Sequence, residues 1–240
     1  MPSFTFTGPY GDIECVVNNY KLNDVVLIMA HGFRGSRDGG GRSTAFAKLA
    51  EGVCKVVRFN FNGSQILSRQ VEELQAVISA VREQYNPEKL FLLGRSLGGA
   101  ASMITASRDE KIDGLILWAT PNDLRKTFLN ALGDELYKQL DAGEILHLED
   151  ERGKMDLTPD FLTDLDKYNL TEIMSKWQDR PLLILHGEQD VTVDVAQGRK
   201  NFELAGGDKE IYTFANGDHT FSECATEANA QIVKWLYSRT

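Results

Sequence analysis

Leu90-Phe91-Leu92-Leu93-Gly94-Arg95-Ser96-Leu97-Gly98-Gly99-Ala100-Ala101-Ser102-Met103 joins an apolar run to a run of small residues through a Gly-x-Ser-x-Gly segment. It reads as strand, sharp turn and helix, the local context that a nucleophile elbow requires. A serine in such a turn is held at a strand tip in a strained conformation, and side chains beside it would clash with the neighbouring strand and helix unless those positions are glycine. Gly94 and Gly98 meet that need. The following helix aims its N-terminal amides, with their partial positive charge, at the place where the Ser96 oxygen points. Gly-x-Ser-x-Gly alone is a common accident in a glycine-rich chain; the strand and helix around it give it meaning.

Outward from the elbow, strand-like and helix-like segments alternate. Phe4–Thr7 and Ile13–Val17, separated by Gly8-Pro9-Tyr10-Gly11, suit an opening antiparallel pair. Val25–Ala30, Lys55–Phe61, Lys89–Leu93, Gly114–Trp118 and Pro181–Leu185 are short apolar runs without in-out alternation, as in parallel strands covered on both faces. Val71, Leu74, Val77, Ile78 and Val81 recur at helical spacing, and Pro87 closes that helix. The expected fold is α/β, a doubly wound and mostly parallel sheet whose ligands sit at the carboxyl ends of the strands.

Residues 121–179 break the rhythm. They hold two helix-like pieces, Leu124 to Leu140 and Thr158 to Tyr168, the second with Thr158 as cap and Pro159 in its first turn. Between them lies a charged run that includes Glu149, Asp150, Glu151, Arg152 and Lys154. A stretch of this length is no simple connection, and it reads as a lid over the sheet's carboxyl edge within a single domain spanning 1–240. The alternative is a surface excursion remote from any site.

The chain has 240 residues and a formal charge of −9, which argues against nucleic acid and anionic membranes as partners. No run approaches the ~20 apolar residues of a membrane helix. Met1-Pro2-Ser3-Phe4 lacks a basic segment followed by an apolar one, so a cytoplasmic location is expected. Cys15, Cys54 and Cys224 are an odd number at wide spacing, which indicates neither a disulfide framework nor a zinc site.

A serine hydroxyl is scarcely ionised at neutral pH, so Ser96 needs a base, and the base an orienting acid. His219 lies in the turn-rich Asn216-Gly217-Asp218-His219-Thr220-Phe221, between a strand-like segment and the terminal helix, where this topology places a base. His147 reads as solvated; His31 and His186, each before a glycine at a strand end, read as loop fasteners. Asp190 is the expected acid, with Asp194 its competitor and the better helix cap. The order Ser96, Asp190, His219 is nucleophile, acid, histidine. Oxyanion donors are expected in the amide of Leu97 and in the loop Ala30-His31-Gly32-Phe33-Arg34-Gly35-Ser36, with Phe33 best placed. Arg34 follows directly, with Arg37 close by. Arg34 is either an arginine paired with the lid's Glu149 to Glu151 or solvated, or a contact for a substrate bearing a carboxylate or phenolate.

These segments, with Arg58-Phe59-Asn60-Phe61-Asn62-Gly63, His186-Gly187-x-x-Asp190 and Gly217-Asp218-His219-x-Phe221-Ser222, resemble the α/β-hydrolase superfamily over essentially the whole chain. The likeness is greatest to small bacterial esterases of the cinnamoyl/feruloyl esterase and serine aminopeptidase-like group. The resemblance implies up to eight strands, a helical lid, and hydrolysis of a small-molecule carboxylic ester through an acyl-serine, with no cofactor and no metal. Asn62-Gly63-Ser64-Gln65 abbreviates the Gly-His-Gly-x-Ser type segment of the feruloyl esterases. The same residues would also serve a peptidase or amidase, and a hydrolase fold also occurs in proteins that only bind.

Overall fold

The computed structural model describes residues 2–19, 24–62, 65–150 and 153–240. Gly63 and Ser64 of the abbreviated segment, and Glu151 and Arg152 of the charged run, lie outside the described residues. In chain order the strands are β1 (Ser3–Gly8), β2 (Gly11–Asn18), β3 (Val25–Ala30), β4 (Lys55–Phe59), β5 (Lys89–Arg95), β6 (Gly114–Trp118), β7 (Leu146–Asp150), β8 (Gly153–Leu157), β9 (Leu182–Gly187) and β10 (Lys209–Phe214). The α-helices are α1 (Arg42–Leu49), α2 (Leu67–Tyr85), α3 (Leu97–Ser107), α4 (Leu124–Leu132), α5 (Asp134–Asp141), α6 (Asp160–Leu165), α7 (Leu170–Ser175), α8 (Val195–Leu204) and α9 (Ala225–Tyr237).

Eight strands form one sheet in the order β1-β2-β4-β3-β5-β6-β9-β10. β1 pairs antiparallel with β2, and β2 antiparallel with β4; every pairing from β4 to β10 is parallel. The unbroken apolar run of β3 is buried at every residue, as a strand covered on both faces requires. On one face, α2 presents Leu67, Val71, Leu74, Val77, Ile78 and Val81 to the core. Each such side chain contributes about 1.5–3 kcal/mol by burial. The helix ends where Asn86 turns left-handed, at φ 41°, ahead of Pro87. α3, buried over Leu97 to Ala106, packs against α2 and against β5 and β6 of the sheet. The opposite face is covered by Phe46 of α1 and by Ile232, Trp235 and Leu236 of α9.

The insertion differs from its sequence reading in three ways. The expected helix from Leu124 to Leu140 is broken at Gly133, whose φ of 78° and ψ of 160° separate α4 from α5. The charged run, which carried no assigned element, is part of a strand pair: β7 and β8 pair antiparallel, with Leu146 opposite Leu157. Thr158 does not cap α6; Pro159 occupies the cap position, and the Thr158 hydroxyl donates to the Asp160 carboxylate. Phe128 of α4 and Phe161 of α6 lie edge-on at 4.6 Å, and both ring centroids are within 5.6 Å of Phe33. That aromatic cluster seats the insertion on the loop after β3. Among the described residues no helix is long and apolar enough to cross a membrane.

Candidate active site

Ser96 lies between β5 and α3 with φ 52° and ψ −123°, a conformation costly for a residue with a side chain. Its amide donates to the Trp118 carbonyl of β6 at 2.9 Å, tying the turn to the next strand. The flanking glycines are required by space: a Cβ on Gly94 would fall 2.4 Å from the Gly98 carbonyl oxygen, and one on Gly98 2.3 Å from that of His31.

His219, on the loop after β10, places Nε2 3.1 Å from Ser96 Oγ, and its Nδ1 lies 2.7 Å from Asp190 Oδ2. Asp190, on the loop after β9, is buried and accepts from the amides of Thr192 at 2.9 Å and Val193 at 2.8 Å through Oδ1. An ionised carboxylate only accepts, so Nδ1 carries the imidazole proton and Nε2 is left to accept from the Ser96 hydroxyl. The structure therefore brings Ser96, His219 and Asp190 into one hydrogen-bonded chain. Asp194 is not part of it: its carboxylate accepts from the Ala196 amide at 2.8 Å and caps α8.

One amide, that of Leu97, follows the serine directly, and a second loop runs beside it. Leu97 is the first residue of α3, where no intrahelical acceptor exists. The loop carrying Phe33 runs alongside, since a Cβ on Gly32 would meet Ser96 Cβ at 3.0 Å. His31 holds that loop: Nε2 accepts from the Phe61 amide at 3.1 Å, so Nδ1 donates to the Gly32 carbonyl at 3.0 Å. His186 fastens the loop of Asp190, donating from Nε2 to the Val193 carbonyl at 2.7 Å. His147 is exposed and paired with Asp156 at 2.7 Å.

The serine and histidine open on a cleft of about 810 Å³, walled by the loop after β3 and by Thr127, Phe128 and Ala131 of α4. Arg34, left-handed at φ 52°, pairs with Asp150 of β7 at 2.8 Å and donates to the Gly153 carbonyl. Its side chain is only 6% exposed, so of the two readings the structure supplies the ion pair with the insertion. Arg37 pairs with Glu14 at 2.6 Å. Burial pushes the Cys15 and Cys54 thiols up to about 12, leaving them as small apolar groups. Among the described residues no group of three or more His, Cys, Asp or Glu side chains is placed to hold a metal ion.

Sequence reasoning missed Arg95. It occupies a variable position of the elbow, yet its guanidinium turns inward and donates to the His219 carbonyl at 3.0 Å. The signal was a charged residue between a buried strand and a nucleophile.

Solved structures match this architecture from end to end. Est1E from Butyrivibrio proteoclasticus, solved with ferulic acid bound, superposes with a TM-score of 0.79 at 14% identity, covering 98% of both chains. The esterase Pf2001 of Pyrococcus furiosus gives 0.74 at 15% identity, over 99% of this chain and 91% of that one. The chain has the α/β-hydrolase fold.

A family model described as serine aminopeptidase, S33, matches residues 62–144 of this chain, a stretch that includes the elbow but neither Asp190 nor His219. Lysophosphatidylserine lipase ABHD12 of Danio rerio is 24% identical over 210 residues, covering 83% of this chain and 52% of that protein. Quorum-quenching protein AidA of Acinetobacter baumannii (strain MDR-ZJ06) is 30% identical over 122 residues, 44% of this chain and 40% of its own length. The chain thus spans about half the length, or less, of these curated relatives.

Proposed function

We propose that this α/β-hydrolase cleaves carboxylic esters through an acyl-serine intermediate. The observation that carries the reading is the hydrogen-bonded chain from Ser96 Oγ through His219 to Asp190 at the wall of an open cleft. His219 Nε2 takes the Ser96 proton as Oγ bonds to the ester carbonyl carbon, and the carbonyl electron pair moves onto oxygen. The amides of Phe33 and Leu97 receive that oxyanion. Collapse breaks the bond to the alcohol, which leaves with the proton from His219; water, activated by the same histidine, then attacks the acyl-serine and releases the acid. Asp190 keeps the imidazole in the tautomer that accepts from serine and stabilises its charged form. The insertion, seated on Phe33, serves as a lid that shapes the acyl side of the cleft.

Esterases among the structural relatives and a lipase among the curated ones favour the ester; the aminopeptidase family model keeps an amide substrate as the second reading. A panel of nitrophenyl esters of graded chain length, methyl ferulate and aminoacyl-nitroanilides separates the two. Ester turnover is expected, with a loss of about 10⁴-fold or more in Ser96→Ala and His219→Ala. A folded, uncontaminated Ser96→Ala protein that keeps more than a tenth of the activity removes Ser96 as the nucleophile. Turnover confined to the nitroanilides makes the protein an amidase.

A further inference from the structure

The cleft extends beyond Ser96 to the face of the sheet covered by α1 and α9, where Arg42 and Ser43 of α1, Asn229 of α9, Arg95 and Thr220 line it. In a chain with a formal charge of −9, the cleft lining includes Arg34, Arg37, Arg42 and Arg95 and no Asp or Glu among the described residues. Two of these charges are neutralised, Arg34 by Asp150 and Arg37 by Glu14. The other two are not. Among the described residues the Arg42 side chain has no ion-pair or hydrogen-bond partner, and the Arg95 guanidinium has one acceptor, the His219 carbonyl.

A guanidinium carries five donors, and the half-buried one of Arg95, with a single neutral protein acceptor, keeps most of them for whatever occupies the cleft. Burial and the nearby positive charge of Arg42 pull Arg95 down to about 10, against the partial help of Asp218 and Asp190. Asn229 adds a polar amide to the same wall; the residue is 8% exposed, and its side chain has no hydrogen-bond partner among the described residues. Two unneutralised arginines near one another, an amide and a hydroxyl, with no carboxylate lining the space, form a donor set for an anion.

We propose that this arm of the cleft is an anion subsite in which Arg42, Arg95 and Asn229 hold a carboxylate or phosphate carried by the substrate. For the word substrate the inference rests on the acyl-transfer reading of Ser96; the binding of the anion does not. Arg95 joins the two sites physically, since it bonds to the backbone of the histidine that faces Ser96. A molecule that spans both places its scissile bond at Ser96 while its charge is fixed beside α1.

Three esters test this by proton release: ethyl hexanoate, monoethyl adipate with its charge on the acid half, and 2-phosphoethyl hexanoate with its charge on the alcohol half. The expected result is a kcat/KM for at least one charged ester roughly tenfold or more above that for ethyl hexanoate, since a charge-assisted hydrogen bond is worth about a factor of ten or more. Whichever charged ester is preferred assigns the anion to the acid or the alcohol half. Arg42→Gln, at an exposed position, and Asn229→Leu should each shrink that ratio, and added salt should do the same. Hydrolysis of ethyl hexanoate with no preference for either charged ester overturns the subsite and leaves the esterase reading standing. A preference that survives both substitutions overturns the residue assignment. If no ester is cleaved, the esterase reading fails, and calorimetric titration of succinate and inorganic phosphate into the wild-type protein decides the subsite. Binding weakened about tenfold by Arg42→Gln supports it, and no binding of either anion overturns it.

Discussion

Gly187 and Gly217 meet backbone to backbone: a Cβ on Gly187 would lie 2.1 Å from the Gly217 carbonyl oxygen. That contact locks the loop of Asp190 to the loop of His219. The Gln189 amide donates to the Gly217 carbonyl and the Glu188 amide to the Phe214 carbonyl, both at 2.9 Å, so the two loops move as one piece.

Gly187→Ala is therefore expected to act on the site rather than on the core. The added methyl meets backbone, which cannot rotate away, and overpacking of this kind costs roughly 1–3 kcal/mol. A shift of about 1 Å between Asp190 and His219 is enough to cost on the order of 10²-fold in turnover. Thermal unfolding together with kcat on a neutral nitrophenyl ester checks both effects. Unchanged kcat in a destabilised protein would separate the loop contact from the chemistry.

Asp190 and Asp194 stand four residues apart with different tasks, so their amides should behave differently. Asp190→Asn removes the acceptor for His219 Nδ1 and is expected to lower kcat by roughly 10³- to 10⁴-fold with little change in KM. Asp194→Asn leaves a side chain that still caps a helix well, so little change in stability or turnover is expected, while Asp194→Ala should cost about 1 kcal/mol of stability. Steady-state kinetics and denaturant melts on the three proteins decide it. Inactivation by Asp194→Asn, with Asp190→Asn active, reverses the assignment.

The sheet was legible because its strands are written locally: β3 and β6 fall on the residues expected from their apolar runs, and the elbow carries its glycines in sequence. Ser96, His219 and Asp190 were legible for the same reason, each lying just beyond a recognisable strand. The β7 and β8 hairpin was not. Leu146 and Leu148, then Met155 and Leu157, do alternate with polar residues, but the density of charge around them masks the period of two. Gly133 is a local stop signal, but the apolar residues that continue at helical spacing on both sides of it obscured the break. Arg95 was hidden more deeply, because whether an elbow side chain turns inward depends on α1 and α9, which are distant in sequence.

Arg34 offers the counterpart to Arg42. Its guanidinium is committed to Asp150 and the Gly153 carbonyl, so it holds the β7–β8 hairpin against the loop that carries Phe33. Arg34→Gln is expected to lower kcat/KM for ethyl hexanoate, monoethyl adipate and 2-phosphoethyl hexanoate by the same factor, because it loosens the loop and not a charge contact. Limited proteolysis within the hairpin should quicken in parallel. A loss confined to the charged esters would make Arg34 a second anion contact.

His186 sets a pH dependence whose sign follows from its surroundings. The ring is wholly buried, Nε2 donates to the Val193 carbonyl at 2.7 Å, and Nδ1 has no partner and faces Gly198, where an added Cβ would approach to 2.4 Å. Protonation would put a charge on that unpartnered nitrogen. Burial accordingly holds the group below its ordinary value of 6.5, and the same cause lowers His31. With the folded value depressed, the unfolded chain binds the proton first. The contribution to stability is complete above about 6.5 and is lost as pH falls below it, at up to about 1.4 kcal/mol per pH unit for each histidine. Urea melts between about pH 7.5 and 5, at constant ionic strength, should show stability falling on the acid side before the carboxylates titrate. His186→Gln keeps a donor for Val193 without a titrating group, so it should flatten that slope by up to one proton's worth. An unchanged slope in this variant would move the acid sensitivity to other groups.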